Sequence, residues 1–222
     1  MELQEKKALQ ALAVRIRMAA LDAIHGIGSG HIGGAMSIGD VLAVLYGREM
    51  RYDPKNPKWP ERDKLVVSKG HAGPAVYGTL AVKGFFPYEE LLTMNRGGTR
   101  LPSHCDRNKT PGVDVTTGSL GQGTSQAAGL ALGDKLKGRN CRTFLIVGDG
   151  ESDEGQCWES YMFASAKKLG NLVVLIDWNK RQLDGYLDEV ENTAMNHSMP
   201  VTDERFERWT AELKAKLDAL EG

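Results

Sequence analysis

Two uninterrupted apolar runs dominate the hydropathy pattern, residues 143–147 (Thr-Phe-Leu-Ile-Val) and 172–176 (Leu-Val-Val-Leu-Ile). Runs of this length without alternation predict strands buried on both faces, as in a parallel sheet. Between them, from Cys157 to Leu169, Trp158, Tyr161, Met162 and Leu169 recur at helical spacing. The spacing predicts a helix with Trp158 and its Met and Phe neighbours in the core. A third short run at 65–68 predicts another strand. Leu9, Leu12, Ile16, Ala19 and Ala23 mark an amphipathic helix over about 2–24, and further helices are expected over 38–46, 125–136 and 203–220. The segment 52–63 carries Pro54, Pro57 and Pro60 among charges and reads as a surface connection.

Each long run ends in polar residues. The first drops into Gly148-Asp149-Gly150, the second into Asp177-Trp178-Asn179. Asp149 and Asn179 are roughly thirty positions apart, the chain that a strand, a crossover helix and a parallel strand consume. Both would then sit at the carboxyl ends of neighbouring strands, where open α/β sheets bind ligands. A carboxylate and an amide oxygen are hard ligands suited to Mg²⁺ or Ca²⁺, and Mg²⁺ completes its shell with phosphate oxygens and water. Glycines on either side of the acid let the backbone approach an anion. One reading is a divalent cation bridging the turn to a diphosphate. The other is an ordinary strand-to-helix turn with Asp149 as its cap.

With a net charge of −1 the chain lacks the basic excess of a nucleic-acid binder, and no apolar run reaches the length of a membrane span. The charged start Met-Glu-Leu-Gln-Glu-Lys-Lys is no secretory signal, so a cytoplasmic location is expected. Cys105, Cys141 and Cys157 form no metal-type pair, and Cys141 and Cys157 read as small buried apolar groups. Four of the five histidines, His31, His71, His104 and His197, stand beside glycines, prolines or strand ends, the loop positions where ligands bind.

The order of these loops resembles the transketolase family. The motifs are S-G-H-x-G at 29–33, S-K-G-H-A at 68–72, T-T-G-x-L-G-Q-G at 116–123, G-D-G-E at 148–151 and D-x-N-K-x-Q-L-D-G at 177–185. The resemblance implies a thiamine diphosphate-binding α/β fold, a parallel sheet flanked by helices. It implies that Asp149, the Asn179 side chain and the Arg181 carbonyl hold Mg²⁺ (or Ca²⁺), which in turn holds the cofactor's diphosphate. Gly148, Gly150 and Glu151 belong to the same cofactor turn, His71 lies at the diphosphate, and Gly118 and Leu120 pack on the cofactor rings. His31 faces the cofactor and the incoming sugar phosphate, His104 the donor ketose, and His197 the diphosphate; these four histidines are the candidate catalytic groups. The family also places Glu154 near a subunit interface.

After Tyr186 the likeness breaks, and residues 187–190 lead straight into a segment with His197 that the family carries several dozen positions later. The fold is therefore expected to be shortened near residue 187. The chain reads as one diphosphate-binding domain over 1–222, with its main body at 1–186 and a shortened part at 187–222. A sheet cut short there exposes a new edge, to be covered by another chain or by the C-terminal helix. In the family the activating glutamate lies on a further domain, and the motifs of this chain match only the diphosphate-binding one. The resemblance thus implies the N-terminal subunit of a two-chain enzyme, a dimer of heterodimers with a C-terminal, pyrimidine-binding subunit. A related thiamine diphosphate enzyme, 1-deoxyxylulose phosphate synthase-like or dihydroxyacetone-transferring, and a non-catalytic remnant are the alternatives.

Overall fold

The computed structural model describes residues 1–178 and 199–221. The chain divides into two compact units. One is helical and takes in Met1–Glu49, Ala72–Ser103 and, among the described residues, 199–221. The other is α/β and takes in Met50–His71 and, among the described residues, 104–178.

In the helical unit, α1 (Leu3–His25) is the central rod. Its Ala-rich face, with Ile16, Ala19, Ala20, Ala23 and Ile24 fully buried, lets a neighbour approach closely. That neighbour is α4 (Gly73–Val82), buried along nearly its whole length. A Cβ at Gly78 would stand 3.0 Å from both the Ile16 carbonyl oxygen and the Ala19 methyl, so the crossing depends on glycine there. The helix expected over 38–46 is present, its last residues π-helical. A strand of two residues, β1 (Ser29–Gly30), leads into α2 (Ile32–Ser37), followed by α3 (Gly39–Val44) and a π-helical turn over Leu45–Glu49.

The α/β unit holds β2 (Lys64–Val67), α5 (Gln122–Leu136), β3 (Thr143–Gly148), α6 (Gly155–Ala166) and β4 (Leu172–Asp177). The strands are parallel in the order β2-β3-β4, with Lys64 opposite Thr143 and Thr143 opposite Leu172. Val66, Leu145 and Val147 from the sheet, Ala127 from α5 and Cys157 from α6 form its core. Both long apolar runs are strands. β3 is buried at every position, but β4 is only half-buried, with Ile176 55% exposed, so burial on both faces holds for β3 and not for β4. Cys141 and Cys157 are buried free thiols, as predicted.

The prediction for α6 needs correction. Trp158 and Met162 are 60% and 65% exposed, and the face turned to the sheet carries Cys157 and Ser160 instead. Apolar residues surround this helix, so the pattern alone did not choose the buried face. Trp158 lies back over the preceding turn and donates its indole N–H to the Ser152 carbonyl at 2.9 Å. An open, mainly apolar groove runs along the outer side of β4, lined by Tyr161, Ala164, Leu169, Leu172, Val174 and Ile176. Among the described residues no strand pairs with that edge.

The C-terminal helix, here α7 (Asp203–Glu221), packs on α1 within the helical unit and buries Trp209 and Leu213. It follows β5 (Met199–Pro200), which pairs antiparallel with β1. His25 stacks on Phe206 with ring centroids 3.9 Å apart and meets the Asp203 carboxylate at 2.8 Å. The expected shortening near residue 187 lies outside the described residues.

The amino end of the α/β sheet is tied by Asp63, whose side chain is wholly buried. It accepts from the Arg142 and Arg51 backbone N–H groups at 2.7 and 3.0 Å, and from both guanidinium groups at 3.1–3.2 Å. Burial works to raise its pKa, but these hydrogen bonds and the two guanidinium charges prevail and hold it below the usual carboxylate value. A depressed carboxylate contributes stability above its unfolded pKa and loses it as pH falls through the folded one. The prediction is that denaturation midpoints hold steady near neutrality and drop below about pH 4. Asp63→Asn should lower stability at neutral pH and flatten that acid limb; an acid limb unchanged in the variant would count against Asp63 as its source.

Candidate active site

The carboxyl end of the β2-β3-β4 sheet collects four loops of the α/β unit. The backbone at the end of β3 is set against that of β4, since Gly148 pairs with Asp177 and the Asp149 N–H donates to the Asp177 carbonyl at 3.1 Å. Asp149 caps a 3₁₀ turn over Gly150–Asp153, its Oδ1 accepting from the Gly150 N–H at 2.9 Å. It is half-buried, and a Cβ placed on Gly150 would meet nothing within 4 Å. The carboxylate therefore stands at a strand end, on a turn whose next residue, Gly150, is exposed.

Glu151, two residues on, does different work. It is 3% exposed. Its Oε1 accepts from the Ser68 hydroxyl at 2.5 Å and from the Gly121 N–H at 2.8 Å, and its Oε2 from the Gly148 N–H at 3.1 Å. One carboxylate thus joins the loop after β2, the start of α5 and the end of β3. Gly121 has a φ of +80°, which favours glycine, and that conformation turns its N–H toward Glu151.

The remaining loops are packed backbone to backbone. A Cβ on Gly70 would come within 2.7 Å of the Gly118 nitrogen, and one on Gly118 within 3.2 Å of the His104 ring. The Thr117 hydroxyl donates to the Val67 carbonyl at 2.9 Å. Gly118 therefore lies between the 68–71 loop and His104. His71 and His104 are both half-buried, and Leu120 is exposed. Lys69, buried next to this loop, donates to Asp177 Oδ2 at 2.5 Å. Burial pulls its pKa down, against the charges of Asp177, Asp149 and Glu151.

Among the predicted residues, His71, His104, Gly118, Leu120, Gly148, Asp149, Gly150 and Glu151 all belong to loops or strand ends of the α/β unit. His31 belongs to the helical unit, at the N-terminal end of α2. Asn179, Arg181 and His197 lie outside the described residues. Sequence reasoning missed Ser68, Lys69, Gly121 and the inward role of Glu151. The signal for Lys69 was a lysine placed directly after a buried strand, where a charge needs a partner.

The donor set suits a hard divalent cation that carries a diphosphate. Among the described residues no three His, Cys, Asp or Glu side chains cluster as metal ligands. A single carboxylate at a glycine turn leaves an ion's other positions to carbonyls, amides, water and phosphate oxygens, as Mg²⁺ takes them.

The sequence profile of the transketolase thiamine diphosphate binding domain matches residues 8–207. The chain belongs to that family. It is 55% identical over 182 residues to the 6-deoxy-6-sulfo-D-fructose transketolase subunit SqwG of Clostridium sp. (strain MSTE9), covering 82% of this chain and 66% of that one. It is 39% identical over 186 residues to one subunit of the apulose-4-phosphate transketolase of Actinobacillus succinogenes, covering 84% of this chain and 66% of the relative. The transketolase of Campylobacter jejuni superposes with a TM-score of 0.75 at 28% identity, over 99% of this chain and 36% of that one. The chain thus spans just under two thirds of two relatives named as subunits, and about a third of a solved transketolase. The fold is that of the transketolase thiamine diphosphate-binding domain, as its motifs imply. No helix among the described residues is long and apolar enough to cross a membrane.

Proposed function

We propose that this chain is the N-terminal, diphosphate-binding subunit of a two-chain transketolase. The enzyme transfers a two-carbon ketol unit from a ketose to an aldose, with sugar phosphates as the ordinary substrates. The observation that carries the reading is the Asp149 turn at the carboxyl end of β3, beside the end of β4, locked from beneath by Glu151. Relatives named as transketolase subunits support the division into two chains. Their names carry two different sugars, one sulfonated and one phosphorylated, so the donor of this chain is a choice among sugar phosphates and sulfosugars.

Thiamine diphosphate, when bound, supplies the carbanion that breaks and remakes the carbon–carbon bond. The chain's own residues bind and orient it. Asp149, with Asn179 and the Arg181 carbonyl, holds Mg²⁺ at the diphosphate; His71 and His197 hydrogen-bond the diphosphate; Gly118 and Leu120 line the rings. His31 and His104 hold sugar hydroxyls and move protons there. The pyrimidine side of the cofactor is left to the C-terminal subunit. We further propose a cytoplasmic dimer of heterodimers, with residues 1–222 acting as one diphosphate-binding domain.

Two measurements test this. The purified chain should show no two-carbon transfer with cofactor and Mg²⁺ until the C-terminal subunit is added; appreciable turnover of the chain alone would refute the two-chain reading. By calorimetry with both subunits, Asp149→Ala should weaken metal-dependent cofactor binding by on the order of 100-fold, since even groups that merely orient a metal ligand are worth 10–100-fold. Its stability should fall by no more than about 1 kcal/mol, the worth of one turn cap. Unchanged cofactor affinity in that variant would remove Asp149 from the ion site.

A further inference from the structure

We propose that Lys69 is a positioning residue that reserves the ion site for a cation already carrying a diphosphate. The inference rests on the cofactor reading above, and concerns a side chain that reading leaves without a role.

Three acidic residues, Asp149, Glu151 and Asp177, belong to the carboxyl end of the sheet, where Gly148 pairs with Asp177 and donates its N–H to Glu151. Glu151 is committed to the Ser68, Gly121 and Gly148 donors. Asp149 and Asp177 lie on adjoining strand ends whose backbones share a hydrogen bond of 3.1 Å. Two carboxylates so placed attract a bare divalent cation. Lys69 changes that. Its ammonium is 2.5 Å from Asp177 Oδ2, its side chain is 3% exposed, and its charge also acts on Asp149 and Glu151. It occupies an oxygen that would otherwise ligate, and it repels a second cation in a site where water screens little.

A bare Mg²⁺ thus meets a site whose acidity is partly cancelled. A diphosphate brings several negative charges of its own, which offset the ammonium and supply the missing oxygen ligands. Cation and diphosphate then bind far better together than apart, and the coupling is reciprocal. An internal comparison is built into the same strand. Lys64, at the start of β2, makes an equivalent pair with Asp134 at 2.5 Å, also largely buried, at the opposite end of the sheet.

The test is calorimetric titration of the chain with Ca²⁺ alone, then with Ca²⁺ in the presence of thiamine diphosphate, folding being checked by circular dichroism. Lys69→Met should tighten Ca²⁺ binding without cofactor at least tenfold and shrink the cofactor's enhancement of it by the same factor. Lys69→Arg should behave as the parent chain. The double variant Lys69→Met/Asp177→Asn should lose the gain, and Lys64→Met should show none. A folded Lys69→Met chain with Ca²⁺ affinity within twofold of the parent overturns the proposal. So does an equal gain in Lys64→Met or in the double variant, which would make the effect structural. Should Lys69→Met not fold, Asp177→Asn decides alone. It leaves the ammonium without that partner carboxylate and should weaken Ca²⁺ binding at least fivefold; unchanged affinity overturns the proposal. The titrations with Ca²⁺ alone need no cofactor. A parent chain that never binds thiamine diphosphate, with or without the C-terminal subunit, therefore sinks the cofactor reading while Lys69 is still judged on the cation.

Discussion

Glu151→Ala should lower the stability of the chain by about 2–6 kcal/mol, the cost of stranding two buried backbone donors. The Gly121 and Gly148 N–H groups and the Ser68 hydroxyl all point at this carboxylate. Each buried donor left without an acceptor costs about 1–3 kcal/mol. The serine hydroxyl can rotate to a new acceptor; the two backbone groups cannot. A domain of this size has only about 5–15 kcal/mol in hand. Urea denaturation should therefore show a large fall in midpoint, and cofactor affinity should fall with it, because the clamp fixes three loops of the site. Glu151→Gln should lie between, at about 2 kcal/mol, since its amide oxygen still accepts while its NH₂ faces a backbone donor. The contrast with Asp149→Ala is the telling one, with neighbouring acids affecting different properties. A Glu151→Ala chain within 1 kcal/mol of the parent would show that the clamp is not what holds these loops.

Gly70→Ala is the second large effect. The new methyl would stand 2.7 Å from both the Gly118 nitrogen and the Thr117 carbonyl carbon, and 2.8 Å from the Gly118 Cα. These are backbone atoms, with no rotamer to yield. The 68–71 loop and the 117–118 loop must move apart, and overpacking of this kind costs about 1–3 kcal/mol. The displacement falls where Gly118 meets the His104 ring, so cofactor affinity should drop by at least tenfold as well. Gly150→Ala is the matching control. A Cβ there meets nothing within 4 Å, and stability should change by less than about 1 kcal/mol. Equal losses of stability in the two variants, by denaturation, would discount the loop contact.

Much of this arrangement is legible in the residues themselves. The runs at 143–147 and 172–176 announce strands because continuous apolarity of this length suits a parallel sheet, although only β3 is covered on both faces and β4 leaves Ile176 exposed. The Gly-Asp-Gly turn follows because the chain must change direction at a strand end, and the motif order adds the cofactor. Less was legible where local pattern underdetermines direction. Nothing in the string Gly-Asp-Gly-Glu says that Asp149 stays at the rim while Glu151 turns inward. That choice is made by donors from Ser68 and Gly121, far away in sequence. Trp158 misled for a related reason, since apolar groups around the whole of α6 leave its buried face to be chosen by the sheet. The Lys69–Asp177 pair joins the ends of the two outer strands and is visible only once β3 has been placed between them.

The strand order carries a kinetic consequence. β3 and β4 are joined by one helix, so their pairing is available early and closes a modest loop. β2 must find the other side of β3 across the long stretch that separates Lys64 from Thr143, through the whole of α4 and α5. Loop closure of that length costs entropy before any contact rewards it, and such pairings slow folding more than they weaken the final state. The slowest collapse therefore coincides with the arrival of Ser68 and Lys69, and the acids at the far strand ends remain mutually repulsive until it is complete.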